Sequence, residues 1–146
     1  MRHMKEFYVG LAALIENKGK FLVMKRSPEK DFLPNTWETI TGRLEEAESP
    51  EIGLLREVEE EAGIEIEIVM PIDTGFFYRG GKEYPMVFIS FWCRYLSGDV
   101  VLDWEHTEYR WITIEEALKN DDLRPFHKMF NKIQKMKEIA NATFRL

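Results

Sequence analysis

The sequence predicts an α/β fold in which a mixed β-sheet is packed between helices. Three observations carry that expectation. Short strand-like runs joined by turn residues imply antiparallel hairpins. Two amphipathic stretches with cap signals imply helices that each offer one apolar face. The two kinds of element also alternate without the strict rhythm of repeated βαβ units. At 146 residues, 45% hydrophobic and 32% charged, the chain has the size and composition of one domain, 1–146, with a substantial core.

The elements follow in order. Phe7 to Ile15 is apolar and strand-like, Asn17-Lys18-Gly19 has turn chemistry, and Phe21 to Met24 is a second strand, so the chain opens on a hairpin. Ser27 to Asn35 carries two prolines and several charges and reads as a loop. Trp37 to Thr41 is β-branched and strand-like, and it leads into Gly42. Ser49 is a good N-cap, Pro50 suits the first helical position, and Glu51 sits where the helix dipole favours an anion. Ile52, Leu54, Leu55, Val58 and Ala62 form an apolar stripe at helical spacing, and Gly63 is the expected stop. Gly53 costs about 1 kcal/mol against Ala inside a helix, which points to a close backbone contact there.

Ile64 to Val69, Asp73 to Tyr78 and Tyr84 to Arg94 read as strands, the last two joined through Arg79-Gly80-Gly81-Lys82. Ser97-Gly98-Asp99 marks a loop, and a short strand follows around Tyr109 to Ile112. Thr113 with Glu116 forms a capping box. A last helix, about Pro125 to Ile139, buries Phe126, Met129, Phe130, Ile133 and Met136.

Composition excludes several partner classes. The net charge of −6 argues against generic nucleic-acid binding, which needs a basic surface. An acidic protein still binds a phosphate-rich small molecule when divalent cations lie between carboxylates and phosphates. The longest apolar run, Phe7 to Ile15, falls far short of the roughly 20 residues that span a bilayer. Met1-Arg2-His3-Met4 is too short for a targeting segment, and Met4 is a candidate natural start. The single cysteine, Cys93, excludes an intramolecular disulfide and suits a reducing, cytoplasmic compartment.

Gly42 to Ile64 carries the chemistry. Glu57, Glu60 and Glu61 lie on one side of the predicted helix, where like charges repel by a few tenths of a kcal/mol per pair, about 0.2–0.5. Hard oxygen ligands so placed suit Mg²⁺, with Mn²⁺ as a possible substitute. Glu48 arrives from the preceding loop, a loop carbonyl such as that of Gly42 can complete the set, and Arg56 can pair with Glu60 or reach back to Glu48. A glutamate-rich helix face alone is usually only solvated. The register of the whole string with both glycines argues otherwise.

Gly42, Glu48, Arg56, Glu57, Val58, Glu60, Glu61, Gly63 and Ile64 match the Nudix box, G-x5-E-x7-R-E-U-x-E-E-x-G-U with U aliphatic. A chance match at a given start is on the order of 10⁻⁸ from composition. The chain thus resembles the Nudix hydrolases, and more of it fits. Phe21 to Arg26 resembles the strand before the family's substrate loop, Leu33 to Glu38 its approach to the box, and Glu105 to Trp111 a segment where many members place a further glutamate. Two positions depart from the pattern: Thr41 and Ala47 stand where the family often has glycine, which puts the loop's shape in question wherever φ > 0 is needed.

The resemblance implies an α/β/α sandwich and an Mg²⁺-dependent hydrolase of a nucleoside diphosphate linked to another group. A nucleoside triphosphate, oxidised and non-standard ones included, is the leading substrate class, with dinucleoside polyphosphates or a pterin triphosphate as alternatives. It implies metal held by Glu57, Glu60 and Glu61, with Glu48 and Gly42 contributing and Arg56 organising them. The general base is Glu57 or Glu61 in the box, or Glu105 or Glu108 on the distal segment. Arg26 is a candidate substrate contact. Trp37, Phe77, Tyr78, Tyr84, Phe88, Trp92 and Trp104 include candidate base-stacking partners. His3, His106 and His127 are assigned to no metal. Many relatives dimerise, so a homodimer is possible. A non-catalytic nucleotide-binding regulator is the competing class, disfavoured because every box glutamate is kept.

Overall fold

The computed structural model describes residues 6–144; Met4, as a candidate start, and His3 lie outside the described residues. The opening hairpin forms as the sequence implies. β1 (Tyr8–Asn17) and β2 (Lys20–Arg26) are joined by Lys18 and Gly19, both at positive φ, 51° and 83°. Two such residues match the right-handed twist of the flanking strands.

The hairpin then splays. β1 and β2 pair at Glu16↔Phe21 and Asn17↔Lys20 and separate beyond. The stretch read as one strand, Trp37 to Thr41, fills the gap and is divided at Thr39. β3 (Trp37–Glu38) pairs with β2, and β4 (Ile40–Arg43) pairs with β1. The division is forced because the segment changes neighbour as it crosses the wedge.

A second correction concerns Ile64–Val69 and Asp73–Tyr78, which form one strand, β5 (Glu65–Tyr78). Register shifts between Ile68 and Met70 and between Pro71 and Asp73 break the apolar alternation without breaking the strand. β5 pairs antiparallel with β6 (Pro85–Ser97), which runs parallel to β1. β7 (His106–Ile112) begins earlier than expected and pairs antiparallel with the far side of β2. The sheet is therefore mixed, with seven strands among the described residues.

Period-two alternation sends β1 and β2 side chains to opposite faces. Leu11, Ala13, Ile15, Leu22 and Met24 pack under Leu54, Val58 and Ala62 of α1 (Pro50–Ala62). Leu14, Phe21 and Val23 pack under Met129, Phe130 and Ile133 of α3 (His127–Phe144). Phe21 and Phe130 meet edge to face at 5.4 Å. Burying each such side chain contributes about 1.5–3 kcal/mol. The predicted α1 stripe is narrower than the sequence implies: Ile52 and Leu55 are 61% and 44% exposed, because the sheet contacts only one side of the helix.

The capping box at Thr113 and Glu116 opens α2 (Ile114–Lys119). Pro125 lies inside a 3₁₀ turn, Asp121–Phe126, rather than starting the last helix, which begins at His127. A ring without an N–H is tolerated in so short a turn. Among the described residues no helix is long and apolar enough to cross a membrane.

Candidate active site

α1 begins and ends as its sequence dictates. The Ser49 side chain accepts from the Ile52 N–H, Pro50 opens the helix, and Gly63 ends it at φ 65°. These caps fix where the glutamates stand.

Arg56 is the hub of the box. Its Nη2 donates to Glu48 Oε1 at 2.6 Å and its Nε to Glu48 Oε2 at 3.1 Å, a two-point grip on the loop carboxylate. Nη1 reaches Glu57 Oε1 at 2.9 Å and Glu60 Oε2 at 3.4 Å, and Nη2 also donates to the Arg43 carbonyl at 3.1 Å. Glu48 Oε1 accepts from the Glu45 N–H at 2.7 Å as well. The Arg56 guanidinium, with that backbone N–H, holds the Glu48 carboxyl below its ordinary range.

The interior glycine of α1 now has its reason. A Cβ on Gly53 would fall 2.9 Å from both Glu48 Oε1 and Leu44 Cδ1, so the close contact is with side chains rather than backbone. At Gly42 a Cβ would lie 2.1 Å from Glu57 Cδ. Glycine there lets the Glu57 carboxylate rest directly against β4.

The two departures from the family pattern behave differently. Ala47 takes φ 63°, the left-handed region glycine favours, whereas Thr41 sits in β4 and is not among the residues at positive φ. The loop keeps the strained turn without its glycine, at a cost of roughly 1–2 kcal/mol.

A cavity of about 680 Å³ opens beside the box. Its lining joins the carboxylates of Glu57, Glu61, Glu105 and Glu38 to the apolar side chains of Phe77, Met86, Phe88, Phe126 and Met129. Glu61 is 5% exposed, and its Oε2 has no hydrogen-bond partner among the described residues. Burial, with the neighbouring charges of Glu38, Glu57, Asp103 and Glu105, pushes its carboxyl up to about 10. Burial likewise raises Glu57, against the pull of Arg56.

Such crowding is what a bound cation would relieve. A buried carboxylate oxygen without a donor, surrounded by hard oxygen ligands and cleared of side chain at Gly42, fits a divalent ion. Glu61, Asp103 and His106 also place one ligand-type atom each within 4.8 Å of one another. His106, however, already faces carboxylates with both ring nitrogens: Nε2 is 2.9 Å from Glu38 Oε2 and Nδ1 is 2.8 Å from Asp103 Oδ1. Carboxylates on both sides favour hydrogen on both nitrogens, the charged ring, and occupy the positions a metal would need. Burial opposes that charge, but the hydrogen bonds to Glu38 and Asp103 outweigh it and raise the pKa.

The structure brings Gly42, Glu57, Glu61 and Glu105 to one cavity, with Arg26 at its side. Glu60 is on the solvent side of Arg56, 58% exposed at the side chain, and both Glu48 oxygens face Arg56. A bulge separates the two distal glutamates: two β7 residues, His106 and Thr107, span the step at which β2 moves from Arg26 to Lys25. Bulges re-aim side chains. Glu105 thus lines the cavity, held by Lys30 Nζ at 2.7 Å, while Glu108 lies outside beside Lys25 at 3.6 Å.

Arg26 is buried. Its Nη1 donates to both Glu38 oxygens at 3.1 Å and its Nε to the Phe32 carbonyl at 2.8 Å, which leaves Nη2 without a partner among the described residues. Of the candidate stacking residues, Trp37, Phe77 and Phe88 line the cavity. Trp92 donates to Glu16, and Trp104 is 71% exposed. Sequence reasoning missed Glu38, Asp103 and the internal role of His106. The one available signal was a charged residue, Glu38, inside an otherwise β-branched strand.

A family model described as the NUDIX domain matches residues 4–132. The chain belongs to the Nudix family. Among curated relatives, the nucleoside triphosphatase NudI of Klebsiella pneumoniae is 31% identical over 121 residues, which covers 75% of this chain and 84% of that one. Among solved structures, a MutT protein from Methanosarcina mazei is 29% identical with a TM-score of 0.80, covering 93% of this chain and 99% of that one. A C. elegans Ap4A hydrolase shares the fold, with a TM-score of 0.70 at 22% identity over 90% of this chain and 96% of that one. The chain is a Nudix hydrolase with a mixed sheet between helices, a family that generally uses divalent metals.

Proposed function

We propose that this Nudix hydrolase is a divalent-metal-dependent nucleoside triphosphate pyrophosphohydrolase. One observation carries the reading: a single cavity is lined both by carboxylates and by aromatic and thioether side chains. A triphosphate with a base offers one part to each. The NudI name of the relatives supports the triphosphate class.

Glu57 and Glu61, with the Gly42 backbone beside them, are the proposed holders of Mg²⁺ or Mn²⁺. Such an ion, when bound, stabilises charge on the phosphate oxygens and the leaving group. Arg56 and Glu48 keep Glu57 in place. Glu60 remains a proposed contributor from the solvent side. Arg43 stacks on Tyr8 at 4.1 Å and Arg79 on Phe32 at 4.7 Å. Both line the cavity, so their N–H groups are available to phosphate oxygens. Arg26 offers its unpartnered Nη2 in the same way.

In the reaction, the water oxygen forms a new bond to phosphorus and the anhydride P–O bond breaks. Pyrophosphate leaves a nucleoside monophosphate behind. A cleft carboxylate takes the water's proton; Glu105 is the proposed distal base, because Glu108 stands outside the cavity. Released phosphate and pyrophosphate measured over a nucleotide panel with Mg²⁺ and Mn²⁺ test the reading. Pyrophosphate from nucleoside triphosphates is expected, together with loss of turnover in Glu105→Gln but not in Glu108→Gln. Silence across the panel would favour a binding-only protein.

A further inference from the structure

We propose that the apolar part of the cleft lining is a slot for a planar ring, with Phe88 and Met86 as its floor and Gly75 and Gly10 as the positioning residues beneath Phe88 and Met86 respectively. The proposal rests on the nucleotide reading above and adds how the base is admitted. Phe88 lies on β6 between two glycines. Its partner across the parallel pairing with β1 is Gly10, and its partner across the antiparallel pairing with β5 is Gly75.

Directly opposed residues point to the same face of a sheet, so any side chain at 10 or 75 would stand beside the Phe88 ring. Neither does. A Cβ on Gly75 would fall 2.2 Å from Phe88 Cε1 and 2.3 Å from Cζ. The ring therefore leans over the glycine and lies down on β5 instead of rising from the sheet. A Cβ on Gly10 would fall 2.7 Å from Met86 Sδ, so the thioether occupies that gap in the same manner.

Backbone conformation does not explain these glycines, since neither is among the residues at positive φ. Glycine inside a strand weakens it and marks a close approach by other atoms. Here the approaching atoms are the two side chains that line the cavity floor. Phe77 stands beside the floor, its ring 6.1 Å from Phe88 and tilted by 61°, and Phe126 and Met129 bound the same cavity from the helical layer. Independently of this apolar lining, Arg26, 8% exposed, lines the same cavity and keeps Nη2 unpartnered. A buried donor left open belongs to a ligand that carries acceptors as well as a ring.

The face of an aromatic ring laid flat accepts any base, and the depth above it sets which bases fit. A side chain at position 75 would lift Phe88 into the cavity and reduce that depth. Steady-state kinetics of the Mg²⁺-loaded enzyme test this, using the common nucleoside triphosphates and ribose 5-triphosphate, which lacks a base, as internal reference. Gly75→Ala is expected to raise KM for nucleoside triphosphates about tenfold, more for purines than for pyrimidines, with kcat changed far less. Phe88→Leu introduces no clash and is expected to raise KM for nucleoside triphosphates but not for ribose 5-triphosphate. In the double variant the shorter leucine makes room for the new methyl, so KM returns to that of Phe88→Leu alone.

The slot is overturned if Gly75→Ala and Phe88→Leu keep the parent KM for every nucleotide, or if ribose 5-triphosphate suffers by the same factor in Phe88→Leu. A parent enzyme that does not distinguish nucleoside triphosphates from ribose 5-triphosphate overturns the slot and leaves the triphosphatase reading intact. A parent inert on all of them overturns both.

Discussion

Two arginines hold carboxylates at the cleft, and they do so in different ways. Arg56 is 22% exposed at the side chain and shares itself among Glu45, Glu48, Glu57 and Glu60 and the Arg43 carbonyl. Arg26 is 10% exposed at the side chain and is given to one carboxylate, Glu38, and the Phe32 carbonyl. The first is a brace at the water's edge, where its many partners share one cation and fix the direction of Glu57. The second is a buried peg joining the loop of residues 27–35 to β3, and through Glu38 to His106 and Asp103. Screening differs between the two places, so removing each should damage a different property: Arg26 stability, Arg56 catalysis.

Arg26→Met gives the largest expected effect on folding. It leaves Glu38 buried without its two-point partner, a loss of about 3–5 kcal/mol in other proteins, read here as a lower urea midpoint. An unchanged midpoint would remove the distinction between peg and brace.

On the catalytic side, Glu61→Gln is expected to lower kcat more than about a hundredfold, beyond what loss of a ligand's supporting partner usually costs. The same change should stabilise the metal-free protein. An unfolded glutamate ionises above about 4.3, whereas the folded Glu61 keeps its proton up to about 10. Its contribution to stability therefore falls as pH rises between those limits, and glutamine removes that slope. Thermal melts at pH 5 and pH 8 check the sign: the variant's advantage must be larger at pH 8.

Arg56→Lys comes next, with an expected loss of about 10–100-fold in turnover or metal affinity, because an ammonium cannot reproduce the planar grip on Glu48. Its melting temperature should move less than that of Arg26→Met. The smallest effect is at the loop between them. Ala47→Gly relieves a left-handed alanine at the cost of a freer unfolded chain, a net gain of about 1 kcal/mol or less, seen as a rise of a few degrees, about 2–4, in Tm.

The two arginines also differ in how far their surroundings could be read from residue order. Arg56 and its carboxylate partners lie within one loop and one helix, where a period of 3.6 turns spacing into proximity, so Glu48, Glu57, Glu60 and Glu61 were visible as a group. The Arg26 network draws on four segments, and beyond the charge of Glu38 inside a β-branched strand nothing local distinguishes its members, Asp103 and His106 included, from solvated charges. Their meeting depends on β3 entering the wedge between β1 and β2 and on the bulge where β7 meets Arg26. Strand existence was legible, but strand continuity was not. Changing neighbours split Trp37–Thr41, and bulges hid the unity of β5. The floor of the apolar chamber was invisible for the same reason, since Gly10, Phe88 and Gly75 meet only through strand register.

The bulges of β5 have a consequence beyond the cleft. Among the described residues β5 closes one end of the sheet, pairing on a single side with β6, and it carries exposed Val69, Phe76 and Tyr78. Fourteen extended residues with such side chains would ordinarily invite strand-to-strand growth between copies of the chain. Here the extra residues near Val69 and Ile72 kink the border, and Pro71 removes a donor from its middle. The protein thus carries its own protection against aggregation, set into the strand whose glycine lies beneath Phe88.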